Sequence, residues 1–337
     1  GPEAGLPTEQ TELPTIGGNY VTTTTPMTSH STGTAAQAAG GADIARFVQM
    51  YNGLVANVTK VLHGKEAVVR AAVACVLAEG HLLIEDVPGV GKTSLARAIC
   101  KSVNLTWNRV QFTPDLLPSD ITGVTVFDQA TSTFSFRPGP VFANIVLGDE
   151  INRASPKTQS ALLEVMQEHT VSTDAAVYPV PRPFVVIATQ NPIDLEGTYV
   201  LPEAQLDRFL MRLSVGYPSP EAEAEVLRTE RNSPSVDQLP AVMDREDLLG
   251  MIDFVKRAVE VSAPIEHYIV AICARTRELP EVRLGVSPRG GLALLRASRV
   301  VAAAAGRPFV TPDDVQAMAL ATLAHRVVLR PDAEIQG

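Results

Sequence analysis

The segment Glu85-Asp86-Val87-Pro88-Gly89-Val90-Gly91-Lys92-Thr93 constrains this chain more than any other. It follows the apolar run Leu82-Leu83-Ile84, which reads as a buried parallel strand. It precedes Ser94-Leu95-Ala96-Arg97-Ala98-Ile99, which reads as the first turns of a helix. A strand that turns through small residues into a helix aims successive backbone N–H groups, and the positive end of the helix dipole, at one point. An anion fits there. The pattern predicts a phosphate cradle made by Val87, Pro88, Gly89, Val90 and Gly91, with Ser94 in the opening helical turn. Lys92 would place a point charge on the β- and γ-phosphates, and the Thr93 hydroxyl would be a ligand for Mg²⁺. Asp86 stands where the strict pattern G-x-x-x-x-G-K-[ST] has glycine. Its carboxylate would repel a triphosphate, so it is expected to point away or to be held by a cation.

The rest of the chain supplies a sheet for that loop. Short apolar runs at 81–85, 108–113, 144–149, 183–189 and 210–215 alternate with helix-like stretches. That alternation predicts an α/β domain over 44–218, a parallel sheet between helical layers. Helical periodicity begins at Ile44, Phe47, Val48 and Tyr51. Residues 1–43 are rich in Thr, Gly, Ala, Pro and Ser and bury too little to offset their ordering entropy, so they read as a disordered tail. From 219 to 337 the strand signals stop. Helical segments at 221–231, 245–260, 265–278, 288–305 and 312–327 predict a smaller all-helical domain. Thr311-Pro312-Asp313-Asp314 marks the start of the last one.

Composition narrows the function. A net charge of −9 argues against nucleic acid as the main partner, and no apolar run is long enough to span a bilayer. Cys75, Cys100 and Cys273 lack metal-ligand spacing and read as buried thiols of a reducing cytoplasm.

Two further strand ends extend the phosphate site. Asn144-Ile145-Val146-Leu147-Gly148 leads to Asp149-Glu150, two carboxylates at the edge where open α/β sheets bind ligands. Asp149 would hold the Mg²⁺ through water, and Glu150 would polarise an attacking water. Alternatively, the pair caps the helix that begins at Pro156-Lys157. Phe184-Val185-Val186-Ile187-Ala188-Thr189 ends in Gln190-Asn191-Pro192. An amide at that tip could orient the water, although Asn-Pro alone is a turn signal.

These motifs, together with Phe112-Thr113-Pro114-Asp115-Leu116-Leu117-Pro118-Ser119-Asp120-Ile121-Thr122-Gly123, Asp149-Glu150-Ile151-Asn152-Arg153-Ala154 and Leu201-Pro202-Glu203-Ala204-Gln205-Leu206-Asp207-Arg208-Phe209, resemble the MoxR group of AAA+ ATPases over 44–330. The resemblance implies a three-layer P-loop core followed by a helical lid, with ATP and Mg²⁺ as cofactors. It implies Gly64 near the adenine, Asn191 as the first sensor, and Arg289 of Ser287-Pro288-Arg289 as a second sensor on the phosphates. Arg208 would be an arginine finger reaching the neighbouring subunit's γ-phosphate, with Arg212 and Arg153 as rivals. Taken singly, Arg208 and Arg289 read as solvated surface charges. A finger supplied in trans implies a homo-oligomeric ring, a hexamer in this group. Protein clients and a partner carrying a von Willebrand factor A domain are implied as well. Val124-Thr125-Val126-Phe127 and Thr133-Phe134-Ser135-Phe136 predict a hairpin, either a plain surface one or one that grips a client at the ring pore. Relatives usually carry further residues after His325-Arg326, so this chain is expected to be shortened. The implied function is ATP-driven remodelling of protein clients. The alternatives are an ATP-switched scaffold with negligible turnover, which has little use for Glu150, and a DNA-linked motor, which the acidic charge disfavours.

Overall fold

The computed structural model describes residues 33–336, apart from 87–89, 131, 174–175, 192–197, 218–219, 222–223, 225–227 and 229–234, and side chains from 41 to 333. The tail up to residue 32, the turn residues Val87, Pro88 and Gly89, and most of the helix expected over 221–231 therefore lie outside the described residues.

The apolar runs become strands β1 (Leu82–Glu85), β2 (Trp107–Gln111), β5 (Ile145–Asp149), β8 (Val185–Gln190) and β9 (Met211–Leu213). Between them lie the hairpins β3 (Gly123–Asp128) with β4 (Thr133–Pro138), and β6 (Thr170–Ser172) with β7 (Val177–Pro179). The five long-range strands form one sheet in the order β2-β5-β8-β1-β9, every pair parallel. Because the strands run the same way, their C-terminal ends share one edge. Glu85 stands opposite Gln190, and Gln111 opposite Asp149.

Successive residues of a strand point to opposite faces, and the two faces bury different clusters. Leu82, Ile84, Ile145, Leu147, Val185 and Ile187 join one core, packed by α1 (Gly33–Thr59), α2 (Glu66–Leu77) and α3 (Lys92–Ser102). Leu83, Val146, Val186 and Ala188 join the other, packed by α4 (Pro118–Thr122) and α5 (Pro156–Glu168). This is the expected three-layer arrangement. Helix α1 runs back to Gly33, which corrects the disordered tail expected over 1–43 for residues 33–43: once a helix is nucleated each added residue gains a backbone bond, and this stretch is rich in alanine.

After the short α6 (Glu203–Leu206), the C-terminal unit contains α7 (Arg245–Ala258), α8 (Ala263–Glu278), α9 (Pro288–Ala304) and α10 (Pro312–Leu323). Its residues Leu248, Leu294, Ala297 and Val300 belong to the same cluster as α1 and α2, so this unit shares an apolar core with the α/β layer. Asp314 closes the predicted start of α10 by accepting from the Thr311 N–H at 2.8 Å, and it also takes two bonds from Arg307. One feature was absent from the sequence reading: β10 (Val282–Leu284) pairs antiparallel with β11 (Val328–Leu329). Strands this short carry no usable periodicity. Among the described residues, no helix is long and apolar enough to cross a membrane. All three cysteines are buried, and burial pushes the Cys75 and Cys100 thiols up to about 12. They stay protonated and unreactive near neutral pH.

Two buried histidines make stability depend on pH. His81 lies 2.9 Å from the Met166 carbonyl through Nε2 and accepts the Val186 N–H at Nδ1. His325 packs against the Phe209 carbonyl. Burial lowers their pKa values to about 4 and about 3, so both are neutral in the fold. The unfolded chain takes up these protons near pH 6.5 and the native one does not, so stability falls as pH drops below about 6.5. Urea unfolding at pH 5.5 should show about 3 kcal/mol less stability than at pH 7.5, shared between the two rings.

Candidate functional site

Gly91 precedes α3 with φ +95°, a left-handed value that glycine adopts without strain. This turn sends Lys92 back across the strand ends. Lys92 is only 9% exposed. Its ammonium donates to the Asp86 carbonyl at 2.5 Å and to Asn191 Oδ1 at 2.9 Å. Burial pulls its pKa down from the usual lysine value, opposed by the carboxylates of Asp86, Glu150 and Asp149. Val90 and Ser94 complete the described part of the loop and the first turn of α3.

Asp149 ends β5, buried, beside three partners. Its Oδ2 accepts from Arg109 Nε at 2.6 Å, and its Oδ1 lies 3.4 Å from both the Thr93 and Thr189 hydroxyls. The Thr93–Asp149 pair offers only hard oxygen donors, the set that suits Mg²⁺. Glu150 follows with φ +58°, unusual for a residue with a side chain, and is tied there by its N–H to the Thr189 hydroxyl at 3.0 Å. Its carboxylate accepts from Arg153 at 3.2 Å, Gln111 at 3.3 Å and Asn191 Nδ2 at 3.4 Å. The capping alternative for Asp149 and Glu150 is corrected here: Ser155 accepts from the Thr158 N–H at the start of α5, while both acids face the strand ends. Asn191 therefore bridges Lys92 and Glu150, and Asn152 Nδ2 holds the Asn191 carbonyl at 3.3 Å.

Asp86 turns away from this cluster. Its Oδ2 accepts from the Ser214 hydroxyl at 2.8 Å and from the Gly216 N–H, beyond the end of β9. A carboxylate at the glycine position of the loop is tolerated because these donors hold it on the β9 side. Gly64, with φ +69°, makes the turn before α2, where Lys65 Nζ reaches the Tyr217 carbonyl at 2.7 Å.

Arg208 and Arg289 lie elsewhere. Arg208 precedes β9, and the two arginines line a cavity of about 660 Å³ together with Gly80, His81 and Phe184, which precede β1 and β8. This is the N-terminal edge of the sheet, opposite Lys92. Among the described residues, neither guanidinium has a hydrogen-bond or ion-pair partner. The rival Arg153 is tied to Glu150, and Arg212 to Glu85 at 2.9 Å, both at the C-terminal edge of the sheet in the same chain.

Arg109, Gln111, Asn152 and Thr189 were missed by sequence reasoning. The signal was present in β2, where Arg109 and Gln111 alternate with the apolar Val110 and so share one face. Only the pairing of β2 with β5 shows that this face meets Asp149 and Glu150.

Comparison with known proteins agrees with this geometry. Residues 81–211 match the model of an ATPase family associated with various cellular activities (AAA), and residues 274–337 match an AAA lid domain. The chain is 49% identical to the uncharacterised protein YeaC of Bacillus subtilis, over 84% of this chain and 88% of that one. It is 41% identical to Chaperone MoxR1 of Mycobacterium tuberculosis, over 87% and 80% of the two chains. Protein MoxR of Methylorubrum extorquens is 30% identical over 83% and 88%. A crystal structure of a candidate ATPase from Cytophaga hutchinsonii superposes with a TM-score of 0.82 at 35% identity, covering 90% of this chain and 94% of that one. With a parallel sheet that carries the loop at its C-terminal edge and a helical unit that matches the lid, the chain belongs to the MoxR family of AAA+ ATPases.

Proposed function

We propose that the protein hydrolyses ATP with Mg²⁺ at sites shared between copies of the chain in a hexameric ring, and uses the cycle to remodel protein clients in the cytoplasm. One observation carries this reading. Lys92, Asp149, Glu150 and Asn191 converge at one edge of the sheet, while Arg208 and Arg289 lie unpartnered at the other. Two free guanidiniums beside a cavity, out of reach of their own chain's phosphate edge, suit the triphosphate held by a neighbour. Thr93 and Asp149 would hold Mg²⁺, which would neutralise charge on the phosphoryl group. Lys92 holds the phosphates, Asn191 orients the carboxylate of Glu150 from the Lys92 side, and Glu150 polarises the water. The chaperone-like role and a partner with a von Willebrand factor A domain rest on family membership. In the hairpin, Phe136 packs on Tyr178 with centroids 4.3 Å apart, leaving Phe127 and Phe134 exposed as a client-gripping surface.

Phosphate release, measured across a range of protein concentrations with Mg-ATP, tests the shared site. Specific activity should rise with protein concentration and plateau once assembly is complete. Specific activity independent of concentration from a monomer in sedimentation would overturn the shared site. No turnover by the assembled ring would leave the switched scaffold.

A further inference from the structure

We infer that Arg326 is a positioning residue that fixes Arg208 and Arg289 as one two-arginine face for the triphosphate bound by a second copy of the chain. This rests on the shared-site reading above. Arg326 follows the end of α10 in the short turn Ala324–Arg326, is 6% exposed, and reaches from the lid into the core. Its Nη2 donates to the Phe209 carbonyl at 2.8 Å and to the Asp207 carbonyl at 3.1 Å, the two backbone groups that flank Arg208. Its Nε forms an ion pair with Asp207 Oδ1 at 3.0 Å, off the axis of a hydrogen bond. Its Nη1 is anchored on the lid side, to the Thr322 carbonyl at 2.9 Å and the neutral ring of His325 at 2.6 Å.

The same guanidinium meets the start of α9. A Cβ added to Gly290, next to Arg289, would stand 2.8 Å from Arg326 Cδ. Ser287, two residues before Arg289, donates its hydroxyl to Asp207 Oδ2 at 3.1 Å. Arg326 is thus packed between the segment that carries Arg208 and the helix turn that carries Arg289. A planar group with donors fixed in a fork holds both carbonyls around Arg208 in one geometry, which a lysine's single ammonium cannot do. Nothing in this contact touches the chain's own Lys92 edge. A movement of the lid must therefore move, or release, the arginines offered to the neighbour.

Subunit mixing tests the assignment. Arg208→Ala chains keep their own Lys92 edge, and Glu150→Gln chains keep their arginines, so an equal mixture should regain turnover. The Arg326→Ala chain should lose about 10²-fold in turnover, as expected when a catalytic group is displaced by an ångström, and should bind a fluorescent ADP analogue as before. Mixed with Glu150→Gln chains it should recover at least about tenfold, and mixed with Arg208→Ala chains it should not. Arg326→Lys should behave like Arg326→Ala. Circular dichroism and thermal melts check that each variant folds. Should Arg326→Ala not fold, Ser287→Ala removes one bond to Asp207 and should give the same mixing pattern at smaller amplitude. Rescue of Arg208→Ala without rescue of the folded Arg326→Ala chain overturns the role of Arg326. Failure to rescue Arg208→Ala itself overturns the shared site, and this inference with it.

Discussion

Replacing Glu150 by Gln should lower ATP turnover by a factor on the order of 10²–10⁴ while leaving nucleotide binding within about twofold of the unmodified protein. Glutamine is nearly isosteric, and its one carbonyl oxygen can keep the contacts from Gln111 and Arg153, while its amide NH2 gives up the weaker one from Asn191 at 3.4 Å. What is lost is the charge that draws a proton from water. Lys92 and Thr93, the groups proposed to hold the phosphates and Mg²⁺, are untouched, so an ATP-saturated, stalled protein should accumulate. Phosphate release and equilibrium binding of a fluorescent nucleotide, measured on the same preparation, separate the two effects. Equal loss of binding and turnover would mean that Glu150 organises the phosphate site. Unchanged turnover would remove it from the chemistry.

The contrast between what the sequence predicted and what it concealed follows the range of each interaction. Asp149, Glu150 and Asn191 were legible because they stand at or just past the end of an apolar run, and Lys92 and Thr93 because they open the helix after the Gly-containing loop that follows another; a parallel sheet brings such ends to one edge. The order of the strands was not legible. Arg109 and Gln111 gain their roles only because β2 lies beside β5 rather than at the far side of the sheet. The orientation of Asp86 depended on Ser214 and Gly216, more than a hundred residues away. Likewise, Arg208 and Arg289 were read as separate groups near phosphate. Their common cavity at the opposite edge comes from the packing of the lid, which no periodicity encodes. Arg326 was given no role by the sequence, because its burial depends on packing against Asp207 and Phe209, more than a hundred residues away.

Arg208→Ala should reduce turnover of the assembled protein by roughly 10³-fold or more, about 4 kcal/mol of lost transition-state stabilisation, with little change in nucleotide affinity. The side chain has no partner among the described residues, so its removal breaks no bond within the fold and should leave the melting temperature nearly unchanged. That separates it from Arg153 and Arg212. Loss of Arg153 frees one side of the Glu150 carboxylate, and loss of Arg212 unpairs Glu85 at the phosphate edge, so each acts within its own chain. Arg212→Ala should cost less than about tenfold, the scale of a partly exposed ion pair. Arg208→Lys should not recover activity, because an ammonium cannot span two phosphate oxygens as the planar guanidinium does. Sedimentation at the assay concentration must accompany the kinetics, since a variant that fails to assemble would also be inactive. Loss of turnover in an intact assembly assigns Arg208 to chemistry at a neighbour's nucleotide. Full turnover in Arg208→Ala together with its collapse in Arg153→Ala would move the finger to the phosphate edge and leave the arginine-lined cavity without a part in hydrolysis.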